Sequence, residues 1–291
     1  MNLSLSNMLS SSASGLDPDA KAYIAAVETA DGQALEPAIR TAYDQFIRGC
    51  KADGIWDAIK ASCILAGARS LSGALVPLKG SAPTNNNFVS GDYVRTTGLV
   101  GNGSTKYLDS NRANDEDPQN DQHMATYVAT AHSGGAGGVF IGCSQPTTSG
   151  ATHIGSNPVA GTMFVRNRND VSDVIGSSSQ TGFVGMSRAL SSGYGFRFAA
   201  ATSSVTRTSQ TPSADNIGVF FRIGASTSYS NARIAFYSIG EAIDLAALDS
   251  RVSRLMAELA FAINTSLVAT PYDIDTLLYI NSGYSAGGTL A

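Results

Sequence analysis

Charge, histidine and cysteine are all scarce in this sequence, and each shortage closes off a class of function. Charged residues are only 14% of the 291, while hydrophobic residues reach 43%. Ordinary soluble domains carry about 25% charged residues, and a disordered chain needs the opposite balance, low hydrophobicity with high charge. The net charge is −4 and no stripe of Lys and Arg runs through the chain, so nucleic acid is not an expected partner. No apolar run is long enough to span a bilayer, and the start, Met1 to Gly15, lacks the basic head and apolar stretch of a secretion signal. A membrane is therefore not expected as a partner either.

The cysteines are Cys50, Cys63 and Cys143, an odd number without close spacing. That pattern is neither a disulfide framework nor a zinc site. They read as small core hydrophobes in a chain made in a reducing cytoplasm. The histidines, His123, His132 and His153, show no metal-ligand spacing and read as surface or sheet residues. Ser187 lies in Gly185-Met186-Ser187-Arg188, which is not a nucleophile elbow. The run Gly134-Gly135-Ala136-Gly137-Gly138 precedes a strand pattern, so it reads as a hairpin loop; a phosphate cradle needs a helix behind it. The densest acidic stretch is Asp115-Glu116-Asp117-Pro118-Gln119-Asn120-Asp121. It offers hard oxygen ligands to calcium but lacks the Gly and distal Glu of an EF-hand loop, and it reads first as a solvated acidic loop. No cofactor is expected beyond that calcium option, no metal or catalytic residue is assigned, and the ligand-binding residues are unknown.

What is present falls into blocks. Residues 1–16 are Ser-rich with scattered Leu3, Leu5, Met8 and Leu9, a flexible arm suited to docking. Residues 17–70 predict a small domain of three helices. Asp17-Pro18 opens the first and Asp31-Gly32 closes it. Pro37 opens the second, whose apolar stripe is Ile39, Ala42, Tyr43, Phe46, Ile47 and Cys50. The third is expected over 55–68 through Trp56, Ile59, Ile64 and Leu65. Residues 71–90, with Pro77, Gly80, Pro83 and three asparagines, read as a linker.

From 91 to 240 short strands alternate with Gly, Ser and Asn clusters. They are expected over 92–97, 105–108, 125–131, 138–142, 160–165, 181–188, 194–199, 217–223 and 233–239. Strands at this spacing predict an antiparallel β-sandwich or jelly roll rather than βαβ units. Leu245, Leu248, Val252, Leu255, Met256, Leu259 and Ile263 then predict a closing helix to 263. The tail, 264–291, has no clear period, and Leu277-Leu278-Tyr279-Ile280 within it suits an edge strand or a docking segment. Of the aromatics Tyr194, Phe196, Phe198, Tyr229, Phe236 and Tyr237, most are expected in the core; Tyr229, on a loop, suits stacking on a sugar ring or a neighbouring subunit.

Two segments carry a family likeness. The segment from Thr97 to Asp109, with its Gly101-Asn102-Gly103 turn before Tyr107-Leu108, resembles the opening strand pair of concanavalin A-like (laminin-G-like) sandwiches. The segment from Asn231 to Gly240, followed by Leu245 and Leu248-Asp249, resembles that family's closing strand and helix. The whole order is similar to bacteriophage virion proteins, in which a stretch like Cys50 to Lys60, centred on Gly54-Ile55-Trp56-Asp57, precedes such a sandwich. The resemblance implies a mainly β chain with a helical N-terminal part. It also implies a virion structural protein (a decoration, fibre or appendage module) made in the host cytoplasm and located in the virion. Its expected partners are other virion proteins and copies of itself, a homotrimer being compatible with the low charge. The alternative is a carbohydrate-binding adhesin with a host surface glycan as partner. A glycan hydrolase is the least favoured reading. The glucanases of this class share a Glu-x-Asp-x-x-Glu strand motif, and none of Glu28, Glu36, Glu116, Glu241 and Glu258 forms it. The expectation is therefore no enzyme.

Overall fold

The computed structural model describes residues 15–268 except 135, 136, 146, 177–179 and 226. Two antiparallel sheets dominate it. Sheet A runs β13 (Ala201–Thr206), β12 (Gly193–Phe198), β11 (Gly182–Leu190), β6 (Gln122–Thr130), β16 (Arg233–Gly240), β4 (Gly98–Val100) and β3 (Tyr93–Val94). Sheet B runs β10 (Asp173–Gly176), β9 (Thr162–Asn169), β8 (Ala151–Asn157), β7 (Gly138–Cys143), β14 (Asn216–Val219), β5 (Tyr107–Ala113) and β2 (Thr84–Asn86), with β15 (Arg222–Ile223) added parallel to β7. The mainly β, two-sheet expectation is met.

Side-chain alternation shows how the layers stack. On β6, Met124 and Val128 enter a core shared with Leu108, Ile141, Ile154, Val165 and Val219 of sheet B. Ala125 and, packed against it, Tyr127 face the other way, into a second core with the helices. Sheet A is thus buried on both faces, between sheet B and a helical layer.

The helical layer is built from α1 (Pro18–Asp31), α2 (Pro37–Ala52) and α4 (Leu245–Val268), with a single turn, α3 (Leu71–Ala74), beside α1. The Asp17 carboxylate accepts from Asp19 N and Pro18 occupies the first turn, a start that satisfies an otherwise orphaned donor. Gly32, at φ 64°, ends α1 in the left-handed region that glycine adopts without a Cβ penalty. The apolar stripe of α2 packs along α4, and the Phe46 and Phe236 rings meet edge to face at 5.9 Å.

The expected third helix is corrected. Residues Ile59–Ile64 form β1, which joins sheet A by pairing with β16, from Ile59 opposite Gly240 to Ile64 opposite Phe236. Ile59 and Ile64 face the helices while Ala61 and Cys63 face the other sheet. Ile59-Lys60-Ala61-Ser62-Cys63 does alternate, but Trp56, Ile59, Cys63 and Ile64 also stand at i, i+3, i+7 and i+8, so a buried segment this short reads equally as a helix. The third helix of the bundle is α4, from the far end of the chain. The stretch 71–90 carries α3 and β2. The strands β8, β10 and β13 were not expected; their sequences ATHIGSN, DVIG and ATSSVT lack apolar alternation. The arm before residue 15 and the tail segment 277–280 lie outside the described residues, and no described helix is long and apolar enough to cross a membrane.

Candidate binding cleft at one end of the sandwich

Three loops meet at one end of the sandwich and enclose an open cleft of about 520 Å3. They are the β4–β5 turn (Asn102, Gly103, Ser104), the β6–β7 loop (His132, Ser133, Gly134, Gly137) and the β15–β16 loop (Thr227, Ser228, Tyr229, Asn231).

In each loop the described residues are tied by hydrogen bonds of the chain itself. In the β4–β5 turn the Asn102 side-chain oxygen accepts from the backbone N–H groups of Ser104, Thr105 and Lys106 at 3.1, 2.9 and 3.0 Å, so one short side chain folds the turn around itself. Asn231 joins the other two loops. Its Oδ1 accepts from Ser133 N at 2.8 Å, its Nδ2 donates to Ser133 O at 2.9 Å, and its backbone N–H donates to His132 Nδ1 at 3.1 Å. Gly103 N donates to Ser230 O and closes the ring of contacts. The His132 ring lies on Gly138, where a Cβ would come within 2.6 Å of it, so only glycine leaves room for the imidazole.

The aromatic wall is likewise set in place. Tyr229 stacks on Phe221 at 3.9 Å and 12°, and Tyr107 meets both rings at an angle. Phe221 is buried and Tyr229 half-buried. Burial raises the Tyr229 phenol above its ordinary pKa, so at neutral pH it keeps its proton and is able both to donate and to accept.

No Asp, Glu, Lys or Arg is among the described lining residues. With the two asparagine amides committed to the loops, the cleft offers the hydroxyls of Ser104, Thr227 and Ser228, glycine backbone and the Tyr229 ring. A concave surface of this kind, with small neutral polar groups beside a fixed aromatic, orients a polyhydroxylated ligand without charge.

The sequence matches no protein-family model and no curated protein. Among solved structures it is similar to the binding domain of botulinum neurotoxin serotype D, at 9% identity and a TM-score of 0.48 over 68% of this chain and 51% of that one. It is also similar to the CBM40 module of an IT-sialidase from Ruminococcus gnavus, at 11% identity and 0.38 over 52% of this chain and 96% of the module. A third is the NanB sialidase of Streptococcus pneumoniae, at 16% and 0.37 over 48% of this chain and 24% of that one. This chain therefore spans about half of the toxin chain and a quarter of the sialidase chain. At such scores these likenesses establish neither the ligand nor the activity of this chain.

The residues singled out by sequence fall in different places. Tyr229, His132, the Asn102-Gly103 turn and, of the glycine run, Gly134 and Gly137 come together at the cleft, residues 135 and 136 lying outside the described residues. The other two histidines do not: His123 is in β6 and His153 in β8, both buried. The surface option for the histidines is thus corrected, since His132 too is only 7% exposed. His123 Nδ1 donates to Glu241 O at 2.5 Å and Nε2 accepts from Ser238 Oγ at 2.7 Å, and burial pulls its pKa down to about 4. In the acidic stretch, Arg112 binds Glu116 and Asp117, and Asp121 accepts from Ala242 N. No group of three His, Cys, Asp or Glu side chains suited to a metal occurs among the described residues. Ser187 Oγ accepts from Ile243 N, which ties β11 to the connection leading into α4. All three cysteines are buried and unbridged, and burial pushes Cys50 and Cys63 up to about 12. Cys63 does so from a strand, correcting its helical placement.

Proposed function

We propose that this chain is a carbohydrate-binding protein and that the cleft around Tyr229 holds the saccharide. The observation that carries this reading is the half-buried tyrosine ring, clamped by Phe221 and Tyr107, above a floor of small neutral polar groups. The test is a glycan array followed by calorimetry on the best binder. Replacing Tyr229 by Ala is expected to weaken binding at least about tenfold, as loss of a central aromatic contact does, with the unfolding midpoint little changed. Absence of binding to any glycan, or equal binding by the variant, refutes the assignment.

The adhesin reading is compatible with a place in a phage particle, which we propose on the sequence resemblance around Gly54-Ile55-Trp56-Asp57 alone. Mass spectrometry of purified particles decides it, and particles without this chain end it.

A further inference from the structure

Behind the cleft lies a buried cation with no counter-charge among the described residues. Arg222, on β15, is 6% exposed. Its Nη1 donates to His153 Nδ1 at 3.3 Å and its Nη2 to Ser228 Oγ at 3.5 Å, both long, and its Nε has no partner. Arg222 makes no ion pair with any described residue. The same face of sheet B adds Arg166 on β9, opposite His153 in the register, with its guanidinium turned to the carbonyls of Asn169 and Thr148.

The histidine gives no compensation. Since a guanidinium only donates, His153 Nδ1 is the acceptor and its proton sits on Nε2, directed at Ser172 Oγ at 2.8 Å. Burial and the two arginines hold His153 well below its ordinary pKa, so it is neutral. Burial and the repulsion of Arg166 lower Arg222 as well, while Cys143, the one group that raises it, is a buried neutral thiol. An arginine keeps its proton in proteins, and a buried guanidinium without a counter-charge costs several kcal/mol. Arg188, another deeply buried arginine, is by contrast surrounded by backbone oxygens and donates to the carbonyls of Asn167, Leu190, Ser191, Gly193 and Arg207. Arg222 has only two weak neutral contacts, and one of them, Ser228, lines the cleft.

We infer that Arg222 is the seat of a bound oxyanion (a carboxylate, sulfate or phosphate group) taken up past Ser228 from the cleft side. The anion accepts from Nε and Nη2, the paired edge that a guanidinium offers to such groups, and Ser228 Oγ gives way or becomes a third donor. Ser228 is poised for this on a loop where its own backbone is left-handed, φ 89°. The inference rests on the saccharide reading only for the source of the anion. An acidic substituent of the glycan and a free anion present the same chemistry to Arg222.

The experiment compares thermal unfolding of the full chain in sulfate, phosphate, acetate and chloride at equal ionic strength, for the wild type and for Arg222→Met. The expected result is a wild-type midpoint about 2 °C or more higher in an oxyanion than in chloride, and no such difference in the variant. A wild type indifferent to the anion, or a variant that keeps the response, overturns the inference. Should the variant fail to fold, selenate soaked into wild-type crystals gives the second measurement. An anomalous peak within hydrogen-bonding distance of Arg222 Nε supports the seat, and none there removes it. Matched neutral and carboxylated oligosaccharides identify the source. Tighter binding of the acidic one, relieved by sulfate, assigns the anion to the glycan; equal binding of the two, with the sulfate response intact, assigns it to a free ion. Sulfate stabilisation without any saccharide binding keeps the Arg222 seat and rejects the carbohydrate reading, whereas saccharide binding without any oxyanion response does the reverse.

Discussion

Replacing Phe46 by Ala is expected to destabilise the sheets as much as the helices. Phe46 lies on the buried face of α2, 3% exposed, and its ring meets Phe236 of β16, which is fully buried. Deleting a buried phenylalanine side chain costs about 3–5 kcal/mol, of which the edge-to-face pair accounts for about 0.5–1.5 kcal/mol. Against a total stability of about 5–15 kcal/mol that is a large share, and it lowers the midpoint by about 6–20 °C in a chain of this size. Because β16 is paired on one edge with β6 and on the other with β4 and β1, the loss is transmitted to the centre of sheet A. Urea unfolding is followed by the fluorescence of Trp56, the single tryptophan, beside the helices, and by far-ultraviolet circular dichroism of the strands. Both probes are expected to shift together in the variant. A double-mutant cycle with Phe236→Ala is expected to return the pair energy. If Trp56 reports an early transition while the strand signal stays where it was, the helices form a separate domain and the reasoning is wrong.

Acid is expected to weaken the fold through His123. Its pKa is about 4 when folded and about 6.5 in an unfolded chain, so the unfolded state takes up the proton first as pH falls. The stability contribution is complete above about pH 6.5 and is lost progressively towards pH 4, by about 3 kcal/mol in all. His123→Gln should flatten that slope in denaturation curves from pH 7 to 4, and an unchanged slope refutes the assignment. Gln122, fully buried with neither amide atom partnered, is expected to tolerate Met with no loss, or with a gain of about 1–3 kcal/mol from removing orphaned polar atoms. Chemical denaturation that shows the Met variant weaker by more than about 1 kcal/mol contradicts this. Gly138→Ala should displace the His132 ring and break its bond from Asn231 N–H, giving a folded protein with fast hydrogen exchange at Asn231 and weakened glycan binding. Retained protection at Asn231 would show that the loop staple does not depend on that glycine.

The sandwich was legible where strands alternate, as in Tyr194-Gly195-Phe196-Arg197-Phe198, because one face of β12 meets the core and the other does not. It was illegible at both extremes. β1 is buried on two sides and its brief alternation is overlain by the helical spacing of Trp56, Ile59, Cys63 and Ile64, whereas β13 is largely exposed and lost its alternation to Ser and Thr. The cleft was present in the sequence only as fragments. Tyr229, His132 and the turn at Asn102 each drew notice, but what joins them is the Asn231 bonding to Ser133 and His132 across 98 and 99 positions, which no local pattern encodes. Arg222 gave no sequence signal. Its interest lies in what is missing around it, and that is a property of packing.

The pairing of Ile64 with Phe236 also bears on how the molecule is made. During synthesis β1 leaves the ribosome about 170 residues before its partner strand, and α2 leaves long before α4. Until β16 has emerged the apolar stripe of α2 lacks the completed outer face of sheet A, and until residue 263 has emerged it lacks α4 as well. The nascent chain therefore carries an uncovered greasy surface through most of translation, and final closure falls to its last described strand and helix. A ribosome stalled at residue 230 should hold a chain that chaperones bind and proteases cut, whereas release of the full chain should end both.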